Sequence, residues 1–414
     1  MKTFNAKMLY IYKFLGQCLP IYAFYTILFI ERGRSVADIA VLMALWSLFT
    51  IVFEVPSGIL ADRWNRRNML AIAAVLQGIC FIIWFFFHAF LMIAVGFAFW
   101  AVAGAFVSGT EESLIYDNLK SDGCVEDFSK VYGKAQFFAN VGIIAGIISA
   151  GIIASFIRIE IIALISAAMC FVNVIFAMQI REKNYYSERL DKESMAFFEI
   201  FTEAGSFIKS SKAALVSIVF LVLFVNIGNY LDEFDALIIN DFQLGNIWVS
   251  VILTVRFVFI ALGDILAPIV QKKIFSIEQA FSIEKISSKE RVFFIKQIFL
   301  LNGLACTALV IFAMIWNQYA IIIFGVSSMI MAITEILLIN TLQNEIKEEG
   351  RATVMSFYSI GQNAVMIGFS LVYAILAGIF TLQQVYIIIS VYGIVGGLLF
   401  YLFIFTGPKS TGTR

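Results

Sequence analysis

The residues that could do chemistry in this chain are charges placed where charges are expensive. Lys13, Glu54, Glu111, Glu112, Asp117 and Glu335 fall within or at the margins of apolar runs long enough to cross a bilayer. A charge at membrane depth is retained when it is paired or functional, so each is a candidate site. At about 1.5 Å of rise per residue, Lys13 lies roughly 8 Å and Glu54 roughly 9 Å from the near end of their runs. Glu111 and Glu112 lie at similar depth, and Glu335 matches them in the second half of the chain. This layer has two open readings. One is a network that exchanges a proton, because an acid in low dielectric titrates nearer neutrality. The other is an ion-pair lock between helices.

A second group lies further along. Arg256 sits about ten residues into its run, roughly 15 Å deep and near the midplane. The preceding run ends in NIGNYLDEFDA, with Asn226, Asn229, Asp232, Glu233 and Asp235. On a regular helix Asn226, Asn229 and Glu233 share a face, and Asp232 and Asp235 form an i, i+3 pair. Arg256 is expected to pair with one of the three acids, either as an outer gate or as an anchor for a polar substrate group.

The elements that must position these charges follow from composition. The chain has 414 residues, of which 61% are hydrophobic and 14% charged. Its mean hydropathy is +0.92. Such a chain reads as an all-α membrane protein. Continuous apolar runs, rather than alternating ten-residue segments, argue against a β-barrel. Twelve runs are predicted, near 8–30, 37–60, 68–88, 91–117, 134–156, 160–180, 213–238, 246–271, 294–315, 318–342, 353–378 and 383–405. They are numbered here as helices 1 to 12. Of the 29 Lys and Arg, 24 fall in the termini and loops of one side, and only Arg32, Arg34 and Arg158 on the other. The positive-inside rule then makes both termini cytoplasmic.

The chain divides as 1–181, a six-helix bundle; 182–212, a charged cytoplasmic linker; and 213–414, a second six-helix bundle. The linker ends in an amphipathic stretch, FFEIFTEAGSFIKS, which reads equally as an interfacial helix or a solvated tether. The halves repeat weakly. Thr110-Glu111 returns as Thr334-Glu335, and Leu114-Ile115 as Leu338-Ile339, both at an offset of 224. Ile59-Leu60-Ala61 returns as Ile265-Leu266-Ala267 at 206, and the longer loop near 271–291 accounts for the difference.

Net charge is zero, which points to no nucleic-acid partner. The five cysteines form no CxxC pair, so neither a disulfide nor a metal site is expected. There is no nucleotide loop, no HExxH and no Ser/His/Asp set, the single histidine being His88 at a turn between helices 3 and 4. No cofactor and no enzymatic activity are expected.

Between helices 2 and 3 the chain reads SGILADRWNRR. Gly58, Leu60, Asp62, Arg63, Arg66 and Arg67 resemble the signature loop of the major facilitator superfamily, with Asn65 where that family usually has Gly. EVPSGILAD (54–62), SGTEESLIYDNLK (108–120) and Arg351-Ala352-Thr353 within EEGRATVMS (348–356) resemble its drug-efflux branch, which includes macrolide and tetracycline exporters. The chain departs from that branch in helix 4, where Trp100 to Ser108 carries no charge. It departs again in helix 5, where only Gly142, Gly146 and Gly151 remain of the antiporter signature and Ile147 stands in place of Pro. The resemblance implies two pseudo-symmetric bundles and a cavity lined by helices 1, 4, 7 and 10, with alternating access through rocking of the halves. It further implies a signature loop that gates the inner side, and a monomer in the plasma membrane exporting an amphiphilic small molecule in exchange for protons. Transport of an endogenous solute (peptide-like, amine or secondary metabolite) and a non-transporting membrane sensor are the alternatives.

Overall fold

A computed structural model describes residues 6–182, 212–275, 288–345 and 351–406. The amphipathic stretch of the linker, most of the 271–291 loop and residues 346–350 lie outside the described residues. Among the described residues the secondary structure is helical throughout. Twelve segments are long and apolar enough to cross a membrane. Helices 1 to 6 are Ala6–Glu31, Val36–Glu54, Arg66–Phe86, Phe90–Ser121, Lys130–Phe156 and Ile159–Gln179. Helices 7 to 12 are Leu215–Asp241, Asn246–Lys273, Lys296–Ile315, Gln318–Leu342, Tyr358–Ala377 and Leu382–Ile404. Helix 2 continues as regular helix to Arg63.

Local chemistry sets several boundaries. Ser35 caps helix 2 through a capping box: its hydroxyl accepts from Asp38 N (3.0 Å), and the Asp38 carboxylate accepts from Ser35 N (2.9 Å). Asn65 caps helix 3 by accepting from Asn68 N at 3.3 Å. Gly33, Gly123 and Gly245, with φ of +78°, +68° and +84°, make tight turns that a Cβ would strain.

Two helices expected to be continuous are broken. Helix 1 runs as Ala6–Gln17, a 3₁₀ turn Pro20–Ala23, and Tyr25–Glu31. Pro20 supplies no N–H, and the Ile21 N–H is satisfied from outside the helix by the Ser166 hydroxyl at 3.0 Å. Helix 7 runs as Lys212–Phe220, a π-turn Leu221–Val225, Ile227–Leu231, a 3₁₀ turn Asp232–Phe234, and Asp235–Asp241. Three tyrosine hydroxyls cap its carbonyls: Tyr230 on Val222 O (3.0 Å), Tyr386 on Leu231 O (3.1 Å) and Tyr392 on Leu223 O (3.4 Å). Buried backbone groups need such partners, and in lipid there is no water to provide them.

Packing repeats between the halves. Helix 3 packs on helices 4 and 6, as helix 9 packs on helices 10 and 12. Small residues allow close approach. A Cβ on Gly142 would strike Phe14 O, and one on Gly146 would lie 3.0 Å from Leu19 N, so helix 5 lies directly on the break in helix 1. In the second half a Cβ on Gly263 of helix 8 would meet Met329 O of helix 10 at 2.6 Å.

The chain forms two compact groups. One comprises the described residues of Met1–Phe197, Phe234–Thr254 and Met366–Gly378. Helices 1 to 6 thus share a group with the last turns of helix 7, the first turns of helix 8 and the last turns of helix 11. Within it, a Cβ on Gly151 of helix 5 would meet Ser250 Cβ at 2.5 Å, and Asn246 Nδ2 donates to Ala154 O at 2.9 Å. The other group comprises the described residues of Phe198–Glu233, Val255–Val365 and Ile379–Arg414, with a core built on Phe220, Leu221, Leu337 and Leu338.

Candidate functional site

The first-half charges converge at one level. Lys13, on the first segment of helix 1, donates to Glu111 of helix 4 at 2.8 Å, with both side chains nearly buried. Tyr12, the preceding residue on helix 1, donates its hydroxyl to Leu70 O of helix 3 at 3.3 Å. Glu112 points elsewhere and accepts from Tyr132 of helix 5 at 2.8 Å; that hydroxyl accepts in turn from Gln136 Nε2 at 2.8 Å. Glu54 is half-buried on helix 2, where its carbonyl accepts from the Ser57 hydroxyl at 2.8 Å. Adjacent residues Glu111 and Glu112 therefore serve different neighbours, as a 100° turn per residue requires.

The signature loop is held by partners that sequence reasoning did not assign. Arg66 is buried and its Nη1 pairs with Asp117 of helix 4 at 2.6 Å. The Glu182 carboxylate, just beyond the end of helix 6, accepts from the backbone N–H of Arg66 (3.2 Å) and of Arg67 (3.1 Å). An acid on the first-turn amides of a helix satisfies two orphan donors and complements the helix dipole. The linker residue Glu182 is thus anchored to helix 3. Its signal in the sequence was an acid just past an apolar run, on the side where basic residues dominate. The backbone of helix 2 runs through Gly58, Asp62 and Arg63, whose side chains lie outside the described residues, as do those of Arg351–Phe357.

In the second half the polar residues of the broken helix 7 take different bonding partners. Asn226 is fully buried and its Nδ2 donates to the Tyr358 hydroxyl of helix 11 at 3.0 Å. Asn229 is exposed and its Nδ2 lies 3.2 Å from both carboxylate oxygens of Glu335 on helix 10. Asp232 and Glu233 are half-buried in the 3₁₀ turn, while Asp235, in the next helical segment, is fully buried. Phe234, between them, stacks on Tyr373 of helix 11 at 3.9 Å between centroids. The change of helical type at 232 rotates Asp235 away from where a uniform helix would carry it.

Arg256 is buried on helix 8 and reaches helix 10. Its Nε donates to the Ser328 hydroxyl at 3.1 Å, and its guanidinium carbon lies 5.1 Å from the Phe324 ring centroid. A cation over an aromatic face is favourable, more so when desolvated. Ser328 and Phe324 were legible only as two members of an apolar run.

At the opposite end of the first bundle from the signature loop, Arg32 donates to the carbonyls of Trp84 and Phe85, and burial lowers its pKa. Arg158 donates to Glu160 at 2.7 Å, and that hydrogen bond raises its pKa. His88 is exposed at its turn. Among the described residues, no cluster of His, Cys, Asp and Glu could hold a metal ion.

Twelve apolar helices, with two broken members and charges buried between them, define a multi-pass membrane protein of transporter type. A sequence model of the Major Facilitator Superfamily matches residues 14–368. The chain belongs to that superfamily. A relative from Bacillus subtilis (strain 168), described as the uncharacterized MFS-type transporter YfkF, is 32% identical over 69 residues, 17% of this chain. That match spans 16% of the relative's length. Among solved structures, the nucleoside transporter NupG is similar with a TM-score of 0.76 at 14% identity, covering 97% of this chain and 99% of that one. A bacterial homolog of the human lysosomal transporter Spinster, in an inward-facing and unoccupied conformation, has a TM-score of 0.71 at 15% identity over 96% and 95% of the two chains. A POT family transporter in complex with a thioalcohol-conjugated peptide has 0.67 at 12% over 98% and 96%. These proteins are transporters, not enzymes, and at such identities they share the fold with this chain.

Proposed function

We propose that the chain is a proton-coupled secondary transporter for an amphiphilic small molecule, working by alternating access, with Glu335 as the carboxylate that takes up and releases the proton. One observation carries this. Glu111 and Glu335 are repeat-related, each on the fourth helix of its half and each bonded to the first. Glu111 meets the cation of Lys13 at 2.8 Å; among the described residues the hydrogen-bond partner of Glu335 is the neutral amide of Asn229. Among the described residues Glu335 has no Lys or Arg within ion-pair distance. The polar groups acting on it are Asn229 and Tyr230 of helix 7, Asp264 of helix 8 and Tyr358 of helix 11. A half-buried carboxylate within a membrane-spanning helix, with no Lys or Arg at ion-pair distance among the described residues, is placed to exchange a proton rather than to lock two helices together.

The resemblance of segments 54–62 and 108–120 to the drug-efflux branch supports outward transport. On this reading the chain works as a monomer in the cytoplasmic membrane, with both termini inside. Substrates are to be sought by growth of a pump-depleted host expressing the chain on a panel of toxic amphiphiles. With a substrate in hand, Glu335→Gln should abolish accumulation driven by a pH gradient in proteoliposomes and leave downhill exchange intact. Wild-type accumulation by that variant would overturn the assignment and return the proton to Glu54, Glu112 or the acids of helix 7. The same lone carboxylate favours a second reading, in which it receives the ammonium of an endogenous amine. In that case Glu335→Gln should raise KM for the amine in downhill exchange as well.

A further inference from the structure

We infer that the C-terminal helices carry a groove for one anionic phospholipid, whose acyl chain lies between helices 9 and 12 and whose phosphate meets Lys296. The groove encloses about 510 Å³ and is bounded by helices 7, 9 and 12. That is within the roughly 300–1,000 Å³ of pockets that bury a ligand. Leu300, Leu304 and Leu398 line it and are exposed, so it opens outward to the bilayer.

Two glycines make the groove. A Cβ on Gly303 of helix 9 would have nothing within 4 Å, and one on Gly397 of helix 12 would have only the Phe220 ring, at 4.0 Å. Gly393 differs: its Cβ would meet Cys306 Sγ at 2.6 Å, so that glycine serves close packing. A glycine inside a helix is destabilising relative to alanine. Gly303 and Gly397 gain no close contact in return; what their missing side chains leave is open space. The floor beneath is aromatic. Phe220 of helix 7 stacks on Phe299 with centroids 3.8 Å apart, and Tyr401 meets Phe299 edge to face at 5.4 Å.

Length and polarity match a lipid of one leaflet. From Lys296 to Thr307 the wall follows helix 9 for roughly 16 Å, about half of a hydrocarbon core roughly 30 Å thick. Lys296 and Gln297 stand at one end, where helix 9 begins, beside Tyr401 near the end of helix 12. Deeper in, the exposed wall is leucine. The Thr307 hydroxyl donates back to Gly303 O at 2.7 Å and Asn302 is buried, so neither calls for a polar ligand group. An acyl chain suits the apolar stretch, and a phosphate suits the cation at its end. The distribution of basic residues puts that end in the cytoplasmic leaflet, where anionic lipids lie and a Lys near the surface attracts them. Glu335 is not among the walls, so the inference stands or falls separately from proton coupling.

The test is photocrosslinking of the purified full chain, reconstituted in proteoliposomes, to phosphatidylglycerol carrying a diazirine halfway along one acyl chain, followed by peptide mapping. Label should concentrate on residues 300–307 and 394–401 rather than on Ile148 and Ile152 of helix 5, which are similarly exposed. Phosphatidylcholine with the same diazirine should label about fivefold less, the value of one lysine near the surface. Gly303→Leu should abolish labelling of the groove at an unchanged unfolding midpoint. Lys296→Gln should keep the label and lose the preference for phosphatidylglycerol. Even labelling of all lipid-facing helices would overturn the inference, as would unchanged labelling in Gly303→Leu. So would a groove covered by a second copy, seen as a dimer in detergent that Gly303→Leu dissociates. A preference for phosphatidylglycerol that survives Lys296→Gln would overturn the phosphate contact.

Discussion

At the scale of single residues, the Lys13–Glu111 pair has a testable energetic signature. Both groups are nearly buried, so removing one strands the other. Lys13→Ala should destabilise the chain by up to about 3–5 kcal/mol. Lys13→Met combined with Glu111→Gln should recover most of that loss, because no uncompensated charge remains. Thermal unfolding of the three proteins in detergent would show it. A double variant no better than the single one would mean that the loss does not come from a stranded charge. The positions of these charges could be read from the sequence, since Glu111 and Glu335 recur at a fixed offset within apolar runs. Their partners could not. Whether a carboxylate meets Lys13, Tyr132 or Asn229 depends on the rotation of each helix and on contacts up to 106 residues away.

At the scale of elements, the break in helix 7 is the least legible feature and the most consequential for the site. Hydropathy marks an apolar run, and the run gives no hint of a π-turn. The caps that permit the turn are Tyr230 on the same helix, and Tyr386 and Tyr392 on helix 12, more than 150 residues on. Tyr230→Phe leaves the ring and removes a hydroxyl that donates to a buried carbonyl. It should cost about 1–3 kcal/mol, seen as a lower unfolding midpoint. Should the midpoint not move, the carbonyl of Val222 is satisfied in another way. Helix 1 differs, because Pro20 within its run was a visible warning. Gly142 and Gly146 of helix 5, legible as remnants of a signature, prove to seat that helix against the backbone of the helix 1 break.

At the scale of the whole molecule, the twelve segments and their order were legible because membrane-length apolar runs leave little choice. Sidedness rests on the distribution of basic residues. Trp64, exposed in the signature loop, offers a probe. With the five native cysteines replaced, Trp64→Cys should resist an impermeant thiol reagent added outside intact cells and react after permeabilisation. Labelling from outside would reverse the topology. The contact between Gly151 and Ser250 has a further meaning. Helices 5 and 8 touch there only because one side chain is a hydrogen atom, so that atom sets an equilibrium constant. Gly151→Val would penalise the touching state by about 1–3 kcal/mol, which multiplies the ratio of parted to touching molecules by roughly 5- to 150-fold. Spin labels at Phe156 and Trp248, both exposed, would report this as a second, longer distance, and a transporter so biased should dwell with that end parted.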